Sequence, residues 1–331
     1  MKHAKKLLVG LAAGALAFAL AGCSSQEAPE AEQPAEQTQE AGLTILYEED
    51  ESLINNYSLL AVNPDAPFVD ADGNAVTDVA INTEGAQALI DWMLSEEGLD
   101  AIANYGVEQF GESLFTINED APRYEGEIAA ATDETSVIRL STTTSVNDSG
   151  LLAAVLPIFE EEYGYTVEVA SAGTGKAIAA AENGNADLIL VHSKSQEEEF
   201  VAGGYSYVLP GFDAERLTFM HNYFVLCGPA DDPAGVAEAD SALDAFALIA
   251  EGEYPFVSRG DASGTHTKEV SLWPEDLGIT TDAESVANYT DWYTFSNAGM
   301  GACLTMAAEQ NAYILSDKAT YLTFITEGTV E

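Results

Sequence analysis

Between residues 136 and 204 the apolar positions follow two alternating rhythms. "SVIRLST" (136–142), "TVEVAS" (166–171) and "ADLILVHS" (186–193) are short runs rich in β-branched residues and read as strands. "SGLLAAVLPIFEEEYG" (149–164), "GKAIAAAENG" (175–184) and "SQEEEFVAGG" (195–204) carry helical spacing and close on glycine, a common helix stop. Strand–helix alternation of this kind predicts an α/β fold, a parallel sheet covered by helices on both faces. "AQALIDWMLSEEGLDAIANYG" (86–106) predicts an amphipathic helical pair, and "FVLCGP" and "YPFVSR" predict further strands.

Two stretches break the rhythm. "SSQEAPEAEQPAEQTQEAG" (24–42) has no aromatic residue and no aliphatic larger than Ala, so it cannot bury a core and reads as a tether over 23–42. Before it stand a basic head, the apolar run "LLVGLAAGALAFAL" (7–20) and "LAGC" (20–23). That run is short for a membrane span, and the order predicts a lipoprotein signal over 1–22 with acylation at Cys23. The protein is therefore expected outside the cytoplasm, held to the cell membrane by lipid. "INEDAPRYEGEIAAATDET" (117–135) reads as a surface linker.

A chain of 331 residues with 47% apolar content has room for two compact domains. Its net charge of −45 argues against nucleic-acid binding, which needs a basic face. Only 11 Lys and Arg oppose 56 Asp and Glu, and Lys2, Lys5 and Lys6 fall in the signal, so each remaining basic residue is informative. Cys227 and Cys303 sit in apolar runs and read as buried free thiols. Metal-ligand spacings such as CxxC are missing, and no metal or cofactor is expected.

Chemistry gathers where strands end. Ser/Thr/Gly turns follow three strands: "TTSVNDSG" (143–150), "AGTG" (172–175) and "GDASGTH" (260–266). Each opens a helix, where free backbone N–H groups favour anions, and ligands of α/β sheets bind at the carboxyl ends of strands. Arg259 would add a charged fork of donors. "AGTGKA" lacks the first glycine and the final hydroxyl of a phosphate-binding P-loop, with Ala170 and Ala177 in those places. Ser263 and His266 suggest a serine-type hydrolase only remotely, because no G-x-S-x-G turn is present.

"TTTSVNDSGLL", "GTGKAIAAAENGNADLILVHS", "SRGDASGTHTKE", "GMGACLTMAAEQNAYILSDKATYL" and "IDWMLSEEGLDAIANYGVEQFGESLFT" resemble the tungstate-binding lipoproteins of ABC importers. The resemblance implies a two-lobed periplasmic-binding-protein type II-like fold, with mixed, mostly parallel sheets and a two-stranded hinge, closing on a tetrahedral oxyanion. It implies tungstate or molybdate as ligand, permease and ATPase subunits as partners, a monomer, and no enzymatic activity. Thr143, Thr144, Ser145, Thr174, Ser193, Arg259, Ser263, Gly264 and Thr265 are the candidate oxyanion-binding residues. His266 is a possible further donor. An oxyanion sensor and a sulfate or phosphate binder are the alternatives.

One departure from the family is the segment order. The helical pair at 86–115 precedes "TTTS", whereas the family places it last. The chain reads as a circular permutant with lobe I at 61–225 and lobe II at 43–60 plus 226–331. Crossings between lobes are expected near Leu60–Val62 and Tyr223–Val225, with 43–47 a strand of lobe II.

Overall fold

A computed structural model describes residues 42–70 and 72–326. The expected signal segment, Cys23 and the tether up to Ala41 lie outside the described residues. The strands are β1 (Leu43–Tyr47), β2 (Ile54–Ala61), β3 (Thr116–Ile117), β4 (Val137–Thr143), β5 (Thr166–Ala172), β6 (Leu188–Val191), β7 (Leu217–Pro229), β8 (Phe256–Ser258), β9 (Tyr293–Phe295) and β10 (Ile314–Asp317). The helices are α1 (Thr83–Met93), α2 (Glu96–Ala103), α3 (Val107–Phe110), α4 (Thr144–Asp148), α5 (Leu151–Tyr163), α6 (Thr174–Glu182), α7 (Lys194–Ala202), α8 (Ala242–Glu251), α9 (Gly264–Val270), α10 (Met300–Gln310) and α11 (Lys318–Thr326).

The alternation between 136 and 204 becomes a βαβ layer. All four residues of β6 are buried, as expected of a strand covered on both faces. β5 alternates exposed and half-buried positions, and its Glu168 marks it as the charged edge of the sheet. α5 runs between Gly150 and Gly164, both in the left-handed region that glycine tolerates (φ 81° and 78°). Leu89, Trp92, Val155 and Phe159 pack one face of this layer, and Ala177, Ile178 and Phe200 pack the other. Each large apolar side chain so buried contributes about 1.5–3 kcal/mol.

β7 joins the two halves. Residues from Leu217 to Tyr223 pair with β2 and β3, while Phe224 to Pro229 pair with β10 and β1. Around its second half lie two further cores, one centred on Phe246, Phe256 and Trp273, the other on Val225, Cys303 and Leu304. Among the described strands, β4–β5, β4–β6 and β8–β9 pair in parallel, and the other five ladders are antiparallel. The sheet is mixed as expected but not mostly parallel. β2 and β7 insert beside β6 without a helical crossover, and strand–helix alternation cannot reveal that.

β1 and β2 pair with different parts of the sheet. β1 sits beside the distal half of β7, and Tyr321 OH donates to Leu43 O at 2.6 Å. β2, however, pairs with β6 from Ser58 to Ala61 and with β7 from Ile54. Residues 54–61 thus pair with strands of the βαβ half. The polar start of β2, Asn55 and Asn56, hides its role as an inner strand. Where β2, β7 and β10 meet, the fully buried Asp317 accepts from Tyr57 OH (2.8 Å), Asn222 Nδ2 (2.7 Å), Asn55 Nδ2 (3.3 Å) and Thr320 N (3.1 Å). These donors offset the burial that raises its pKa.

The linker at 117–135 begins as β3 and then runs without helix or strand. Tyr124 N donates to Leu94 O and Ala131 N to Tyr163 O, so the segment is fastened to its own half. Cys227 and Cys303 are free and buried.

Candidate oxyanion site

β5, β4 and β6 run parallel, so their carboxyl ends share one edge. That edge delivers Thr143–Ser145, Thr174 and His192–Ser193. From the other half, β8 delivers Ser258–Arg259 and the turn into α9. Thr143 Oγ1 accepts from Val146 N (3.4 Å) and lies 3.1 Å from Ser145 Oγ. Ser145 Oγ lies 3.0 Å from His192 Nε2. Ser263 Oγ accepts from His266 N (3.3 Å), which leaves its own O–H free to donate.

The two halves touch here. A Cβ added to Gly264 would lie 2.6 Å from His192 Cε1 and 3.4 Å from Thr174 Oγ1. Seven buried side-chain polar atoms among the described residues lack a hydrogen-bond partner. Five of them belong to these loops: Thr174 Oγ1, His192 Nδ1, Arg259 Nε, Thr265 Oγ1 and His266 Nε2. The other two, Gln196 Oε1 and Glu197 Oε1, lie on α7. Buried polar groups are normally paired, and a cluster that is not calls for a partner.

Electrostatics sharpen the picture. Burial, and then the Arg259 guanidinium, push His192 down to about 4, so its ring is neutral at pH 7. Ser145 Oγ meets Nε2, and Nδ1 faces Gly264 without a hydrogen-bond partner. His266 is also lowered by burial, and its Nδ1 accepts from Ala262 N (3.0 Å), so Nε2 carries its proton. Arg259 is only 4% exposed; its Nη2 donates to Asp261 Oδ2 at 2.5 Å. Asp261 Oδ1 accepts from Ser263 N (3.1 Å), so both carboxylate oxygens are engaged by the loop. Ala262 holds φ 54°, a left-handed backbone unusual for a residue other than glycine, in the middle of this turn.

Of the nine candidates, all but Thr144 are buried; Thr144 is half-buried as the first residue of α4. Ser193 makes no cap hydrogen bond and lines a cavity beside the nest. α4 has five residues and α9 seven, so side-chain donors, more than helix ends, must carry a ligand here. Ser263 and His266 do not form a nucleophile–base pair, because the serine hydroxyl meets the histidine backbone and the ring meets Ala262 N. His192 is the residue that sequence reasoning missed. "VHS" reads as the end of a strand, and only its serine drew notice. Arg139 makes the contrast with Arg259: all of its nitrogens are spent on Asp187, Gly184 O and Ala80 O. No group of His, Cys, Asp and Glu suited to a metal ion occurs among the described residues.

Comparison with known proteins places the chain in a family. A family model for the PBP superfamily domain matches residues 129–331. The chain belongs to the PBP superfamily. The tungstate-binding protein TupA of Peptoclostridium acidaminophilum is 42% identical over 200 residues, 60% of this chain and 64% of that protein. TupA of Campylobacter jejuni is 35% identical over 181 residues, covering 54% and 61%. The crystal structure of the tungstate ABC transporter from Geobacter sulfurreducens shares 42% identity, covers 57% of this PBP-superfamily chain and 75% of its own, and gives a TM-score of 0.48. The chain spans 61–64% of the length of these two TupA relatives. Among the described residues no helix is long and apolar enough to cross a membrane.

Proposed function

We propose that this protein captures a tetrahedral oxyanion, tungstate or molybdate, and delivers it to the permease and ATPase of an ABC importer. One observation carries the reading: five buried, unpartnered polar atoms from both halves of the molecule, Arg259 Nε among them, gather at strand ends that touch across Gly264. The TupA relatives support the choice of oxyanion. Arg259 offsets part of a dianion's charge, and Thr174, Thr265, Ser263, Ser145 and the neutral His192 supply hydrogen bonds. Charge-assisted bonds contribute about 1.5–3 kcal/mol each, so several acting together reach the roughly −12 kcal/mol of nanomolar binding.

A fully deprotonated anion suits this lining. Phosphate at neutral pH carries a proton that needs an acceptor, and the carboxylate of this turn, Asp261, already accepts from Arg259 and Ser263. Asp148 is exposed on α4. The role is binding without catalysis, and the ligand needs no cofactor. We place the protein outside the cytoplasm, anchored through Cys23, acting as a monomer.

The order of segments supports a circular permutation. The family match begins at residue 129, inside the linker, yet β2, α1 and α2 from the unmatched part pack into the same core as β4 and β6. In this reading the lobes are 54–223 and 43–53 plus 224–326.

Calorimetric titration with tungstate, molybdate, sulfate and phosphate tests the proposal. Tight binding of the first two is expected, with sulfate and phosphate weaker. Failure of all four to bind would end the oxyanion reading.

A further inference from the structure

We propose that the cavity beside the buried nest is an electropositive vestibule through which the oxyanion enters; this rests on the oxyanion reading above. The cavity holds about 550 Å³. Its walls come from both halves, the start of α7 on one side and one face of α9 on the other, with Ile54–Asn56 and Phe224 between them. It runs from the exposed Lys194 to Gly264 and His192, the pair that marks the contact between halves.

Its charge is unlike the rest of the molecule. Eight Lys and Arg follow Lys6 in the sequence, and three of them, Lys194, Arg216 and Lys268, line this cavity, with Glu198 as the one acid. A fourth, Arg259, lies in the nest behind it. Arg216 is bonded to the buried Glu197, and Lys194 stands 3.7 Å from Glu198. Lys268 Nζ donates to Ser52 O (2.8 Å), a carbonyl, so its charge is not cancelled. Lys194 and Arg216 also face an outer groove that Glu119 and Asp120 line.

A protein with net charge −45 repels a dianion at long range. At physiological salt that field fades over about 8 Å, and a cleft with low-dielectric walls focuses whatever charge lines it. The row of cations therefore governs the last part of the approach. Gly264 and Lys268 lie one helical turn apart on α9, so an anion at Lys268 is a single step from the nest.

The test is stopped-flow association of tungstate with the parent chain, Lys194→Gln, Lys268→Gln and the double variant, at low and high salt. Glutamine keeps a donor for Ser52 O. In the double variant the association rate should fall about tenfold at low salt, with dissociation unchanged, and the difference should shrink in 0.5 M salt, as steering requires (roughly 10–10³ in rate). If the parent binds and the double variant associates at the parental rate, or loses affinity only through dissociation, the vestibule is refuted. If the parent itself does not bind tungstate, the oxyanion reading fails first.

Discussion

Gly264 faces His192 across the junction between halves so closely that a methyl group on the glycine would sit 2.6 Å from the imidazole Cε1. Gly264 opens α9 with ordinary helical backbone, so alanine there is not strained in itself. Gly264→Ala should lower the melting temperature by a few degrees, because the methyl group forces the His192 ring or the α9 turn to move. It should weaken tungstate at least tenfold by holding the halves apart. Calorimetry alongside thermal melts separates the two effects.

Arg259→Ala should reduce tungstate affinity by two orders of magnitude or more, roughly the 3–5 kcal/mol lost when one partner of a buried charge pair is removed. Arg259→Lys should recover only part of this, because an ammonium cannot hold Asp261 with one nitrogen while offering another in the fixed fork of a guanidinium. Equal binding by Arg259→Ala and the parent would show that the nest is elsewhere.

His192 makes the fold sensitive to mild acid. Its folded pKa of about 4 lies below the ordinary 6.5, so between these values the unfolded chain binds a proton that the folded chain refuses. Stability from this residue is complete above pH 6.5, declines as pH falls toward 4, and is level below that. His192→Gln should flatten this part of the stability curve by on the order of 2 kcal/mol, measured by urea unfolding from pH 4 to 7.

Glu269 works in the opposite direction. It is buried under the Arg259 loop and accepts from Trp273 Nε1 (3.0 Å) and Tyr293 OH (2.6 Å), and burial raises it to about 7. Between 4.5 and 7 the folded state keeps a proton that the unfolded chain has released, so stability falls as pH rises through this window and stays lower above it. Glu269→Gln keeps an acceptor for both partners. It should raise the melting temperature at pH 8 by several degrees and change it little at pH 4.5.

The three loops were legible because hydroxyls and glycines following β-branched runs have few structural uses beyond caps and ligands. The turn "GDASGTH" beside it pointed to Arg259, but what each arginine meets was not legible. Arg139 and Arg259 each stand in or beside a strand, and only three-dimensional partners show that Asp187 consumes the first while Nε of the second stays unpaired. His192 was hidden for a related reason. A histidine after "LILV" continues the strand pattern, and its value comes from Ser145 and Gly264, which are distant in sequence. The placement of β2 depends on antiparallel pairing with β6 and β7, a long-range choice that local periodicity does not encode.

Leu43 and Tyr321 are joined by a hydrogen bond across 278 positions, and β7 lies between β1 and β10. During synthesis the βαβ half has every strand it needs once the ribosome has passed β7. The distal half of β7 has β1 for company by then, but its other edge stays open until Ile314–Asp317 has been translated. An open strand edge invites pairing with other chains. The interval of translation between Pro229 and Ile314 is therefore when a nascent copy of this protein is most exposed to aggregation.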